Sequence, residues 1–196
     1  MIVYLNGINY FRQPFAQMAE LVDALVSNTS GVKPVPVRAR LWAQSPQFWG
    51  LFYYIATLME KQKRYDNAYM RMALEWAKLS HCKRKQVGAL IVKNRMIISD
   101  GYNGTPSGFD NCCEDKDGQT HCYVLHAEAN AILKIAGSNH DCSGATLYLT
   151  MSPCKECSKL VHQAGIKRLV YLNGYQDSSG LDFLENAGVE IKKLKF

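Results

Sequence analysis

The sequence predicts an α/β domain, a three-layer α/β/α sandwich built on a mixed, mostly parallel five-stranded sheet. Three observations carry that expectation. From Tyr65 onward, segments with helical spacing alternate with short apolar runs, the pattern of a largely parallel sheet covered on both faces. One pair of apolar runs is separated only by Lys93-Asn94-Arg95, a hairpin spacing that makes the sheet mixed. Hydrophobic residues make up 47% of the chain and charged residues 20%, enough apolar surface for a packed core, which excludes wholesale disorder.

Each element follows in chain order. Met70, Ala73, Leu74 and Ala77 recur at helical spacing and predict a helix of about four turns ending near Ser80. Val87 to Val92 and Met96 to Ser99 are the hairpin strands. A glycine-rich loop runs from Gly101 to Gly108, and a polar, cysteine-bearing segment continues to Cys122. Residues 124–136 are rich in Ala and Leu with helical period and stop at Gly137. Ala145 to Thr150 is a strand. Ser152-Pro153 offers a capping residue followed by proline in the first turn, opening a helix that runs to about Ala164. Arg168 to Leu172 is a strand, Leu181 to Asn186 a short helix ended by Gly188, and Val189 to Leu194 the last strand.

The 196 residues suit one ordinary domain with a short appendage. Composition shifts near residue 59. Residues 1–58 hold four basic and two acidic residues of the chain's 23 and 17. They are aromatic, punctuated by Pro34, Pro36 and Pro46, and weakly patterned, with short amphipathic helices expected over Pro14 to Ser27 and Leu51 to Met59. Ala19 to Leu25 and Val35 to Leu41 resemble the conceptual translation of a transfer-RNA gene more than a protein domain. Residues 1–58 are therefore expected to be an extension, with the start misassigned and the true start near Met59, and residues 59–196 to be the working domain.

No apolar run approaches the roughly 18 residues of a membrane span, and no basic segment leads into an apolar one. The expectation is a cytoplasmic protein whose seven cysteines are metal ligands or free thiols rather than a disulfide framework. A net charge of +6 favours an anionic partner. The basic residues are dispersed apart from Lys83-Arg84-Lys85 and the Lys192-Lys193-Leu194-Lys195 segment, which are too short to demand nucleic acid.

Two short motifs carry chemistry. His126-Ala127-Glu128 opens one helix, and Pro153-Cys154-Lys155-Glu156-Cys157 opens the next, with one strand between them. A Cys-x-x-Cys at a helix start sets two sulfurs close enough to chelate one ion, and the unpaired N–H groups there stabilise thiolates. In an α/β sheet such helix starts lie beyond the carboxyl ends of the strands, where ligands bind. His126, Cys154 and Cys157 then make three zinc ligands and leave a fourth position for water, the mark of a catalytic site. Zinc lowers the pKa of that water from about 15.7 toward roughly 7. Glu128 cannot easily point the same way as His126, but it can stand beside the ion and move protons between water and substrate.

A His-x-Glu with Pro-Cys-x-x-Cys is the general signature of zinc-dependent nucleobase deaminases. With Gln86-Val87-Gly88-Ala89, the Gly101-Tyr102-Asn103-Gly104-Thr105-Pro106-Ser107-Gly108 loop, the Cys112-Cys113 pair and His126 to Ile132, residues 65–196 resemble the deoxycytidylate (dCMP) deaminases of the cytidine and deoxycytidylate deaminase superfamily. The resemblance implies a cytidine deaminase-like fold, a Zn2+ cofactor, and hydrolytic deamination of dCMP to dUMP for thymidylate synthesis. In that reading Glu128 is the catalytic acid and base. Asn103 matches a residue that contacts the deoxyribose, Tyr175 an aromatic beside the bound nucleotide, and Ala127 a substrate-facing position, while Ser152 is a phosphate contact at a helix start. Relatives activated by dCTP and inhibited by dTTP use places matched by Arg84, Lys85, Gly104 and Gly108. Some regulated relatives also carry an arginine where this sequence has Gly137. A second, structural zinc in some relatives corresponds to the region of Cys82, Cys112, Cys113, His121 and Cys122. Family members usually associate, so a homo-oligomer is expected.

Two other readings compete. One is a zinc deaminase acting on another base, such as a transfer-RNA adenosine, although aromatic and basic residues are not interleaved along one surface as strand binding favours. The other is a non-enzymatic module in which zinc only staples the fold, and Glu128 has no purpose in it.

Overall fold

Residues 60–64, Glu-Lys-Gln-Lys-Arg, are all straight-chain helix formers with no glycine or proline among them. They weld the two helices expected over Leu51–Met59 and Tyr65–Ser80 into one, α1 (Pro46–Ala77). The computed structural model describes residues 46–196, with side chains from residue 54 onward; the helix expected at Pro14 to Ser27 lies outside them. The chain divides into two compact units, Met1–Met59 and Glu60–Phe196, and the architecture below is that of the second.

After α1 come β1 (Gly88–Lys93), β2 (Met96–Tyr102), α2 (Ala127–Ala136), β3 (Thr146–Met151), α3 (Lys155–Gln163), β4 (Arg168–Asn173), α4 (Ser179–Asn186) and β5 (Glu190–Lys193). The β1–β2 connection is a two-residue turn with Asn94 at φ 52° and Arg95 at φ 65°, the left-handed pair that matches the twist of a hairpin. β2 runs through Gly101-Tyr102, which the sequence placed in the loop. The sheet order is β2-β1-β3-β4-β5. β1 pairs antiparallel with both β2 and β3, whereas β3–β4 and β4–β5 are parallel, so the mixed sheet is half antiparallel by pairing.

Side chains alternate along β1 between two cores. Ala89 and Ile91 join Ala127, Ala131, Leu147, Leu149, Val161 and Leu184 under α2, α3 and α4. Leu90 and Val92 join Tyr69, Met70, Ala73, Tyr148 and Val170 under α1. Two glycines set the helix spacing on the two faces. A Cβ at Gly88 would overlap the Ala73 carbonyl of α1, and one at Gly101 would overlap the Ala127 carbonyl of α2.

On the α1 face, Asp66 is fully buried and bound on both oxygens. Arg168 donates to Oδ1 and Oδ2 at 2.8 Å each, Lys192 to Oδ2 at 2.9 Å, Tyr148 to Oδ1 at 2.8 Å and Gln62 to Oδ1 at 2.9 Å. Burial pushes this carboxyl up, but the bonds from Arg168, Lys192 and Gln62 outweigh it and hold it well below the usual carboxylate range. The network ties α1 to β3, β4 and β5.

Candidate active site

His126 and Cys154 are the N-cap residues of α2 and α3, both in extended backbone, and neither makes a side-chain capping bond. Imidazole and thiol are therefore left to face each other across the two helix starts. α3 opens where β3 ends, and Cys157 sits within its first turn. This corrects the expected capping: Cys154, not Ser152, opens the helix, because Ser152 and Pro153 still continue the chain out of β3.

The Cys154 and Cys157 Sγ atoms each lie 3.5 Å from His126 Nδ1. All three donor atoms fall within 4.8 Å of one another. Zinc bonds of about 2.3 Å to sulfur and about 2.0 Å to nitrogen, set at a tetrahedral angle, put S and N about 3.5 Å apart. The donor set fits zinc in both identity and spacing. Proton affinities follow the same contacts. Hydrogen bonds from Cys157 and His126 pull the Cys154 thiol down toward thiolate. The bond to Cys154, then burial, push Cys157 up. The bond with Cys154 pushes His126 up despite burial.

Glu128, in the first turn of α2, is 3% exposed. Burial raises its carboxyl, against the lowering effect of its own backbone N–H, the His126 charge and the Cys157 thiol. It lacks the cations that surround Asp66. A buried carboxyl beside a His-Cys-Cys cradle, its proton affinity raised by burial, is equipped to take and return protons.

The family model for the cytidine and deoxycytidylate deaminase zinc-binding region matches residues 63–173. The chain belongs to the cytidine and deoxycytidylate deaminase family. It is 37% identical over 142 residues to the deoxycytidylate deaminase of Saccharomyces cerevisiae, covering 67% of this chain and 45% of that protein. To the deoxycytidylate deaminase of Schizosaccharomyces pombe it is 33% identical over 189 residues, covering 88% of this chain and 54% of the relative. It thus spans about half the length of these curated relatives. Among solved structures it resembles the dCMP deaminase of cyanophage S-TIM5 in complex with dCMP and dUMP, at 49% identity and a TM-score of 0.64, covering 65% of this chain and 95% of that one.

Around the His-Cys-Cys group, the remaining expected residues fall into distinct settings. Asn103 is buried, and its side chain is largely committed: Oδ1 accepts the Val87 N–H and Nδ2 donates to the Lys85 carbonyl, each at 2.8 Å. It orients residues 85–87 and keeps one amide proton for a ligand. Ala127 is fully buried in the core, leaving only its backbone for contact. Ser152 donates its N–H to Asn173 and accepts the Tyr175 N–H on Oγ at 2.7 Å, so its backbone amide is not offered to a phosphate.

Arg84 and Lys85 are neighbours with different partners. Arg84 reaches Thr120 at 3.3 Å and its N–H bonds Glu114. Lys85 places Nζ 5.3 Å from the centre of the Tyr175 ring. Gly104 pairs with Leu125, the residue before His126, and Gly108 turns at φ 88°. Asn130 was not anticipated. It donates to the Tyr102 carbonyl at 2.7 Å, locking α2 to the strand end that carries Asn103; its place four residues after His126 on the same helix face was the available signal.

The expected second metal group does not assemble among the described residues, where His126, Cys154 and Cys157 are the one metal-competent group of three or more His, Cys, Asp or Glu. Cys82 and Cys113 instead form a disulfide with Cα atoms 5.1 Å apart, which also corrects the expectation of a chain without disulfides. The reason is local. The 113–121 hairpin, closed by the Glu114–Thr120 bridge and the His121 N–H to the Cys113 carbonyl, buries Cys113 against Cys82. Cys112 bonds the Glu114 carbonyl, Cys122 is exposed, and His121 stacks on Tyr123.

Proposed function

We propose that this protein is a zinc-dependent deoxycytidylate deaminase that converts dCMP and water to dUMP and ammonia, supplying dUMP for thymidylate synthesis. The observation that carries the reading is the convergence of His126 Nδ1, Cys154 Sγ and Cys157 Sγ beside the buried Glu128. The likeness to a phage enzyme crystallised with dCMP and dUMP supports the choice of substrate. His126, Cys154 and Cys157 would hold the zinc, which would supply a Lewis acid that makes water nucleophilic at neutral pH.

Glu128 does the rest of the proton work. It accepts a proton from the attacking water and delivers it to N3 of the cytosine as the C4–O bond forms. It then takes the remaining proton from the C4 hydroxyl and hands it to the exocyclic amine, so that the C4–N bond breaks, ammonia leaves and the C4 carbonyl of dUMP forms. The burial that raises its proton affinity suits both directions of transfer. Asn103 orients the 85–87 segment against the sugar, and Asn130 fixes α2 relative to it.

Ammonia release from dCMP, CMP, dCTP and deoxycytidine by zinc-loaded protein tests the reading. Preferential turnover of dCMP supports it, and turnover of none of the four overturns it. Adding dCTP or dTTP to the same assay tests regulation through Arg84, Lys85, Gly104 and Gly108, and light scattering tests the homo-oligomer. We propose that residues 59–196 form the deaminase domain.

A further inference from the structure

We infer that Lys85, assigned by resemblance to an effector site, is the residue that recognises the 5′-phosphate of the nucleotide substrate and so sets the preference for nucleotide over nucleoside. The inference rests on the deaminase reading and goes beyond it by naming the specificity determinant. Two chains of contacts bring Lys85 to the rim of the active site. Its carbonyl accepts the Asn103 side-chain amide, and the next residue, Gly104, pairs with Leu125, directly before the ligand His126. Its ammonium stands over the ring of Tyr175, whose N–H is held by Ser152, two residues before the ligand Cys154. Both ends of the Lys85–Tyr175 contact are thus anchored to segments that carry zinc ligands.

The charge of Lys85 is not neutralised there. Lys78, Lys93, Lys134, Lys159 and Lys192 each pair with a carboxylate, but among the described residues none pairs with Lys85. An ammonium resting on an aromatic face is restrained in position yet keeps its three donors for another partner. Tyr175 is 40% exposed and adds a phenolic hydroxyl at the same rim. A dianionic phosphate brought to that rim by a nucleotide whose base lies at the His-Cys-Cys centre would meet an ammonium that no carboxylate among the described residues already holds. Arg84 is instead bonded to Thr120 at 3.3 Å.

The test is kcat/KM for dCMP and for deoxycytidine, without effector nucleotides, in the wild type, K85M and K85R. The wild type is expected to favour dCMP. K85M is expected to lower the dCMP-to-deoxycytidine ratio about tenfold to a hundredfold, mostly through KM, the size expected for one charge-assisted hydrogen bond. K85R is expected to recover most of the ratio, and inhibition of dCMP turnover by inorganic phosphate is expected to weaken in K85M. Zinc content and thermal midpoint monitor folding. A ratio unchanged in K85M, or an equal loss on both substrates, overturns the inference while leaving the deaminase reading intact. Turnover of neither substrate by the zinc-loaded wild type overturns both.

Discussion

Asp66 and Glu128 are both buried carboxylates on helices, yet they serve opposite ends. Asp66, on the α1 face of the sheet, is met by Arg168, Lys192, Tyr148 and Gln62 and is held ionised. Glu128, on the α2 face, is equally dry but has no such cations, and burial pushes it toward its protonated form. The contrast shows how environment divides one functional group into two uses. A carboxylate saturated with cations has no reason to exchange protons and staples the fold; one left short of partners is poised to exchange them.

The sharpest way to break this comparison is Glu128→Gln. It is expected to cut ammonia release from dCMP by about a hundredfold to ten-thousandfold while zinc content and thermal midpoint stay near wild type; undiminished turnover would remove the proton-transfer assignment. Asp66→Ala is expected to do the reverse. Stranding Arg168 and Lys192 beside an empty site costs about 3–5 kcal/mol, read as a lower urea midpoint, with turnover per folded molecule retained.

The pH dependence of stability sharpens the same distinction. Asp66 is depressed in the folded state, so its contribution is complete above its unfolded value of about 3.9 and drains away as pH falls below it. Denaturant titrations between pH 6 and pH 2, as roughly bounded by that value, should show a loss in the wild type that flattens in Asp66→Ala. The smallest effects come from Gly88 and Gly101, two of the close-approach glycines. Gly88→Ala and Gly101→Ala should each cost about 1–3 kcal/mol from overpacking. Only Gly101→Ala, which pushes on the backbone of α2 at Ala127, should also slow dCMP turnover. Equal turnover losses in both would mean that the α1 face is coupled to the site.

Much of this was legible in the chain itself. The helix–strand alternation, the hairpin and the His-x-Glu and Cys-x-x-Cys pair are local patterns, and local patterns survive folding because backbone propensity and motif spacing act over a few residues. The errors were also local in origin. Leu51–Met59 and Tyr65–Ser80 look like separate helices in the sequence because the charged stretch between them has no apolar stripe, although its residues are good helix formers. Ser152 matched a capping pattern that the strand's continuation displaced to Cys154.

The candidate metal donors His126, Cys154 and Cys157, and Glu128 as a carboxylate outside that donor set, were therefore nominated by the primary structure, since residue chemistry and spacing at two helix starts suffice to nominate them. Folding alone decided the pairings between distant segments. It joined Cys82 to Cys113 across 31 residues, Asp66 to Arg168 across 102, and Lys85 to Tyr175 at 5.3 Å. Contacts of that kind depend on which strands become neighbours and which side each loop turns, and neither is written in any short stretch of residues.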